Sequence, residues 1–279
     1  MSPSQFSPIF LLTLLISSVS FAQDSLPLVA FIAGADSHGA GEHEHVAGGK
    51  LLVDSLNQSG RARGMLYQNG WPAAGLPDDV ASVVLYMDGN ESHEILAHLP
   101  EMENLMKEGV GLVAIHYAVH VPEAVGERYF DRWLGGYYHS QRSTNPHWTA
   151  NVTTNEDHPV TADLSAFSAQ DEFYFNIVFA ADVSIAPLLT ATPPAKAREH
   201  IPHPRRTFFL FGGTVPEEVS ANAGREEVIA WAFERKDGGR SVGYTGGHFH
   251  DNWKIPQIKQ FIVNAMAWTA GAELTTLAH

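Results

Sequence analysis

Leu28-Val29-Ala30-Phe31-Ile32-Ala33-Gly34 is an unbroken apolar run closed by glycine, the pattern of a strand buried on both faces of a parallel sheet. A loop rich in Gly and His follows it. From Val46 to Leu56, apolar residues then recur at helical spacing (Val46, Leu51, Leu52, Leu56) up to a stop at Gly60. Arg63 to Tyr67, Ala81 to Met87 and Val110 to Ile115 read as three further strands. Ile95 to Lys107 reads as a helix with Leu96, Leu99, Met102, Leu105 and Met106 on its apolar face. Strands alternating with helices at this spacing predict an α/β fold, with a doubly wound, mainly parallel sheet covered on both faces.

The remainder of the chain attaches to that unit. Residues 120–225 hold aromatic stretches (Phe173-Tyr174-Phe175 and Phe208-Phe209-Leu210-Phe211) and Pro-rich joints (Pro193-Pro194 and Pro202 to Pro204). They read as strands and long loops elaborating the same domain. Val228 to Glu234 and Ser241 to Thr245 are late strands around a turn at Gly239-Arg240, and Ile258 to Thr269 is a closing helix. Residues 1–22 stand apart. Ile9 to Ile16 is an apolar run too short to span a bilayer, and Ser20-Phe21-Ala22 resembles an A-x-A cleavage site. The expectation is a signal peptide over 1–22 and a mature single domain over 23–279. That chain would be secreted or periplasmic, with no integral membrane segment after cleavage.

Composition narrows the chemistry. The 279 residues contain no Cys, which excludes disulfides, iron–sulfur clusters, thiolate zinc sites and a cysteine nucleophile. A formal charge of −14 argues against nucleic acid or an anionic membrane as partner. Gly246-Gly247 precedes His, not a Lys-Ser/Thr pair, so no nucleotide cofactor is expected. Fifteen His are the main reserve of titratable charge.

Ligands in an open parallel sheet bind beyond the carboxyl ends of the strands, which turns histidine positions into evidence. Ser37-His38-Gly39-Ala40-Gly41-Glu42-His43-Glu44-His45 follows the first strand, and His116 ends the Val110–Ile115 strand. Gly246-Gly247-His248-Phe249-His250-Asp251-Asn252-Trp253 follows a late strand. Three segments thus converge on one edge. Read as a strand pair, His248 and His250 would point the same way, as chelating residues do. Glu42, His43, His116, His248 and His250 form the expected donor set for a divalent metal, with zinc, iron, nickel and manganese equally suited. His93, His98, His120, His158, His200, His203 and His279 show no such clustering and read as surface or loop residues.

These stretches, with Ile115-His116-Tyr117-Ala118-Val119 and Asn145-Pro146-His147-Trp148-Thr149, resemble secreted ThuA-like (trehalose-utilisation-type) proteins. The resemblance implies a flavodoxin-like fold of the class I glutamine amidotransferase type. In such enzymes the nucleophilic cysteine sits on a tight turn after a central strand. Here His116 takes that place, so glutaminase chemistry is excluded. The family is linked to disaccharides and their 3-keto derivatives, which implies a small carbohydrate as partner. The expected activity is metal-assisted hydrolysis or elimination on a glycoside or keto-glycoside. His116, His248, Asp88 and Glu172 would be catalytic. His38, Tyr117, His147, Trp148 and Trp253 would hold the substrate, the tryptophans as a stacking wall. The alternative is a non-catalytic sugar-binding or scaffolding domain with a degenerate site.

Overall fold

The computed structural model describes residues 26–199 and 224–274. The proposed signal segment, Pro202 to Pro204, Phe208 to Phe211, His200, His203 and His279 lie outside the described residues. The quoted run forms β1 (Leu28–Ala33), with every residue buried. Helix α1 (His45–Ser59) ends where Gly60 adopts a left-handed φ of 67°, a conformation that glycine enters without steric cost. β2 (Arg63–Gln68), β3 (Val80–Tyr86), α2 (Leu99–Lys107) and β4 (Gly111–Ile115) follow.

The helix expected from Ile95 is interrupted. Glu94–Ala97 is a 3-10 turn, and α2 starts only at Leu99, with proline in its first turn. Pro100 carries no N–H and disfavours helical geometry in the preceding residue, so it suits a helix start better than a helix interior.

The middle segment contributes β5 (Gly136–Tyr137), β6 (Trp148–Thr154), β7 (Phe167–Asp171), β8 (Val178–Phe179) and β9 (Ile185–Ala191). β10 (Glu227–Glu234), β11 (Arg240–Tyr244) and α3 (Pro256–Thr269) complete the described chain. Nine strands share one sheet in the order β2-β1-β3-β4-β11-β10-β9-β6-β7. The first five are mutually parallel, and their order is that of a flavodoxin-like sheet. The other four pair antiparallel and extend it.

Both faces are covered. Val29 and Phe31 of β1 pack with Leu52 and Leu56 of α1 and with Phe261 and Ile262 of α3. Ala30 and Ile32 share the opposite core with Met102 and Met106 of α2 and with Phe130 and Trp133. Alternate residues of one strand thus feed two cores, which is why the run shows no polar interruption. Among the described residues, no helix is long and apolar enough to cross a membrane.

Candidate functional site

The carboxyl ends of β1, β3, β4 and β11 open onto one edge, and the antiparallel pair β6 and β7 delivers the start of β6 and the end of β7 to it by register. Trp148 at the start of β6 pairs with Asp171 at the end of β7, so His147 and Glu172 lie beside each other, 3.8 Å apart. Four non-glycine residues here take positive φ: His38 (64°), His43 (43°), Asn90 (53°) and His116 (56°). Such conformations cost on the order of 1–2 kcal/mol for residues with a Cβ and concentrate at functional sites. His116 stands directly after β4 and opens a 3-10 turn (His116–Val119), the sharp elbow expected of it.

His43, His116, Glu172 and His248 each bring one donor atom into a group whose members all lie within 4.8 Å of one another. The imidazole tautomers follow from their outer partners. His116 Nδ1 is 2.9 Å from the Thr245 carbonyl, which can only accept, so that nitrogen carries the proton. His43 Nδ1 likewise donates to Asp88 Oδ1 at 2.9 Å, while Ser37 donates its hydroxyl to the same oxygen at 2.8 Å. Both Nε2 atoms are left with lone pairs, and they face each other at 3.1 Å. Two lone pairs at that distance repel unless a cation lies between them, either a shared proton or a metal ion. Glu172 Oε2 is 3.5 Å from His116 Nε2 and 3.6 Å from His248 Nδ1. Among the described residues, neither ring nitrogen of buried His248 has a hydrogen-bond partner. The donors therefore fit a divalent ion held by three imidazoles and one carboxylate. Asp88 and the Thr245 carbonyl act behind them to fix ring orientation.

Burial, reinforced by the neighbouring His43, holds the His116 imidazole well below its ordinary range, and the same two causes lower His248 to about 4. Burial, then the Asp171 charge, pushes the Glu172 carboxyl up to about 8. At Asp88, burial opposes the charge, but hydrogen bonds from His43 and Ser37 outweigh it and keep the carboxyl below its usual value.

A cleft of about 200 Å³ adjoins this cluster, its lining including His38, His43, Glu172, Tyr117, His120 and Tyr138. A dry void of roughly 150 Å³ admits a benzene molecule, so the scale here is one six-membered ring. Several expected residues fall elsewhere. His250 is not on a strand, because β11 ends at Tyr244 and His250 opens a 3-10 turn, with its ring 3.4 Å from Glu44 and outside the donor group. Glu42 stays at the periphery, 3.7 Å from His248 Nε2. Asp88 is occupied by His43 and Ser37, which makes it an orienting group. Trp148 is core, its Nε1 donating to the Phe173 carbonyl. Trp253 is fully buried beside Tyr86, so neither tryptophan forms a wall. His38, Tyr117 and His147 do stand at the site.

His120 and His93 are corrections in the other direction. His120 lines the cleft, with Nε2 2.9 Å from Ser140 Oγ, and His93 is fully enclosed, held to the Ala118 carbonyl at 3.1 Å. Sequence reasoning named Tyr174 and Asn145 only within longer stretches and gave neither a role, yet the Tyr174 hydroxyl is 3.3 Å from His116 Nε2 and Asn145 donates to Glu172 at 3.1 Å. Asn145 lies two residues before His147 and Tyr174 two after Glu172, so proximity to singled-out residues was the available signal.

Residues 79–269 match the family model ThuA, described as trehalose utilisation. No curated protein matches the sequence. Among solved structures, a ThuA-like protein from Bacteroides uniformis ATCC 8492 superposes with a TM-score of 0.56 at 19% identity, covering 88% of this chain and 92% of that one. Another, from Parabacteroides merdae ATCC 43184, gives 0.56 at 15% identity, covering 90% and 92%. These two show a shared fold. The family match spans more than half of the chain, and the protein belongs to the ThuA, trehalose-utilisation, family.

Proposed function

We propose that this protein is an exported enzyme that binds a divalent metal through His43, His116, Glu172 and His248 and cleaves a glycoside or keto-glycoside. The observation that carries the metal is the pair of imidazole lone pairs facing each other at 3.1 Å, with both tautomers fixed from behind. Charge supports it as well. Among the described residues, the ion pairs of Asp88 and Glu172 are with imidazoles alone. A bound divalent ion would polarise a substrate oxygen and stabilise negative charge developing there.

The proton acceptor is His38. Ser37 gives its only hydroxyl hydrogen to Asp88, so Ser37 Oγ accepts from His38 Nδ1 at 2.9 Å. That leaves the His38 Nε2 lone pair available at the cleft. Burial, then His43, lowers the His38 pKa below 6.5, which keeps the ring neutral near pH 7. On a keto-glycoside, His38 would take the proton from the carbon beside the carbonyl. The released electron pair forms an enediolate; its collapse forms a carbon–carbon double bond as the C–O bond breaks, and the glycosidic oxygen departs as an alcohol by taking the proton back from His38. Tyr174, Asn145 and Tyr117 offer hydrogen bonds and a ring face to a neutral sugar.

Elemental analysis of protein purified without a His tag, with turnover of glycosides and 3-keto-glycosides before and after chelation, tests this. We expect a stoichiometric divalent metal, turnover abolished by chelation, and loss of both in His116→Ala. A metal-free protein whose turnover ignores chelators would sink the metal. Elimination is recognised by an ultraviolet-absorbing unsaturated ketone, and hydrolysis by its absence.

A further inference from the structure

Asp171, the last residue of β7, is fully buried and carries no role in the chemistry above. Its carboxylate is surrounded by backbone donors. Oδ2 accepts from Gly247 N at 2.7 Å, and Oδ1 accepts from His248 N at 3.0 Å, Phe249 N at 3.4 Å and Glu172 N at 2.9 Å. Three successive amides thus wrap one carboxylate, forming a nest of the kind that binds anions. Such a turn needs an unusual backbone. Gly247 has φ of 117°, and a Cβ there would lie 3.1 Å from the Trp253 ring. The carbonyls of the same turn are also tied down, Gly247 O by the Tyr86 hydroxyl at 2.6 Å and His248 O by His43 N at 3.0 Å.

One side chain therefore grips the backbone of two donors at once, His248 on the loop after β11 and Glu172 after β7. Those segments are 76 residues apart in sequence at the Gly247–Asp171 contact, and the sheet order separates their strands by β10, β9 and β6. Sheet pairing alone does not bring them together. We propose that Asp171 is a positioning residue that sets the spacing between His248 and Glu172, and through it the affinity of the site for its metal. The metal half of this rests on the proposed function above; the architectural half does not.

Asp171→Asn keeps the size but replaces one acceptor oxygen with an NH₂ group, which must face an N–H donor in the nest. Loss of an orienting group typically costs 10- to 100-fold in metal affinity. Zinc affinity by competition with a chromophoric chelator, and the visible spectrum of the cobalt(II)-loaded protein, should both change in Asp171→Asn. The control is Ser82→Ala, which removes the buried Ser82–Thr269 hydrogen bond (2.8 Å) at the amino end of β3 and should lower stability without altering either readout.

Amide hydrogen exchange on the wild-type protein provides a measurement that needs no variant. Gly247, His248 and Phe249 should exchange as slowly as sheet amides, although they lie outside every helix and strand. Unprotected amides in the wild type overturn the proposal even if Asp171→Asn does not fold. Equal zinc affinity and cobalt spectrum in a folded Asp171→Asn overturn it too. If the wild type binds neither metal, the proposed function loses its metal, and Asp171 is judged on exchange alone. Protection lost at 247–249 in Asp171→Asn but kept in Ser82→Ala then supports it, and protection kept in both overturns it.

Discussion

His116 holds a backbone conformation that its own side chain makes costly. Its φ of 56° brings Cβ close to the backbone, and the hydrogen bond from Nδ1 to the Thr245 carbonyl helps to keep it there. Glycine would enter the same conformation freely, whereas alanine keeps the Cβ and loses the imidazole. In chelated protein we therefore expect His116→Gly to be more stable than His116→Ala by about 1 kcal/mol, reversing the usual order of the two residues. Urea unfolding of both variants measures the difference. Equal stability, or a more stable alanine variant, would show that the elbow carries no strain. Under the proposed function neither variant should bind metal, since Nε2 is gone in both. The same geometry recurs at His38 and His43. Three histidines with strained backbones at one sheet edge are hard to explain by packing, which would be satisfied more cheaply by glycine or asparagine.

At the scale of the element, α1 shows how packing overrides propensity. Replacing a mid-helix glycine with alanine normally stabilises by about 1 kcal/mol. Gly48, however, faces Trp253 and Tyr86, and a Cβ there would meet Trp253 Nε1 at 2.7 Å and the Tyr86 ring at 3.0 Å. Overpacking costs typically 1–3 kcal/mol, so Gly48→Ala should lower the melting temperature, and thermal unfolding checks the sign. A stabilised variant would mean that the indole moves aside at no cost.

The elements legible in the sequence were those whose signal is local. β1, β3 and β4 show as apolar runs, and α1 shows by its spacing and its glycine stop. The break at Pro100 was legible in principle, because proline near a helix start has a fixed meaning, yet the apolar stripe from Leu96 to Met106 masked it. The antiparallel half, β6, β7, β9 and β10, was not legible in its order, since pairing between distant strands leaves no local periodicity. The site divides in the same way. His116 and His248 could be placed because each follows a strand directly. Asp171 could not, because its role exists only once β7 lies beside the turn at Gly247, and Tyr174 and Asn145 were marked only by lying near Glu172 and His147, since their partners are reached through the fold. Trp148 and Trp253 were placed wrongly because an aromatic residue carries the same sequence signal whether it stacks on a sugar or fills a core.

Over the whole molecule, the surplus of histidine becomes a statement about acid stability. Burial, partly offset by the bond to the Ala118 carbonyl, lowers the His93 imidazole to about 4. Burial, then His93 and His139, brings His120 to about 3, and His116 is also held well below 6.5. In the unfolded chain all three titrate near 6.5. The unfolded state therefore binds more protons than the folded state between pH 6.5 and about 4, and stability falls as pH drops through that window. Glu172 works in the opposite direction. Its carboxyl, raised to about 8, makes the folded state bind the extra proton between about 4.5 and 8, which favours folding on acidification. Burial also raises the Asp131 and Asp171 carboxyls, but it lowers His38, His45, His158 and His248 as well, and seven imidazoles against three carboxyls leave the histidines dominant. For His93 alone, moving from pH 7 to pH 5 should cost about 2 kcal/mol, and urea unfolding of the chelated protein at the two pH values measures the sum. His93→Gln can still donate to the Ala118 carbonyl but cannot take up a proton. It should be less stable at pH 7 and lose about 2 kcal/mol less between the two pH values. A slope unchanged by that substitution would mean that His93 opens to solvent before it titrates. The acid sensitivity would then belong to the histidines at the sheet edge, and a metal held by them, by keeping them unprotonated in the folded state, should steepen it.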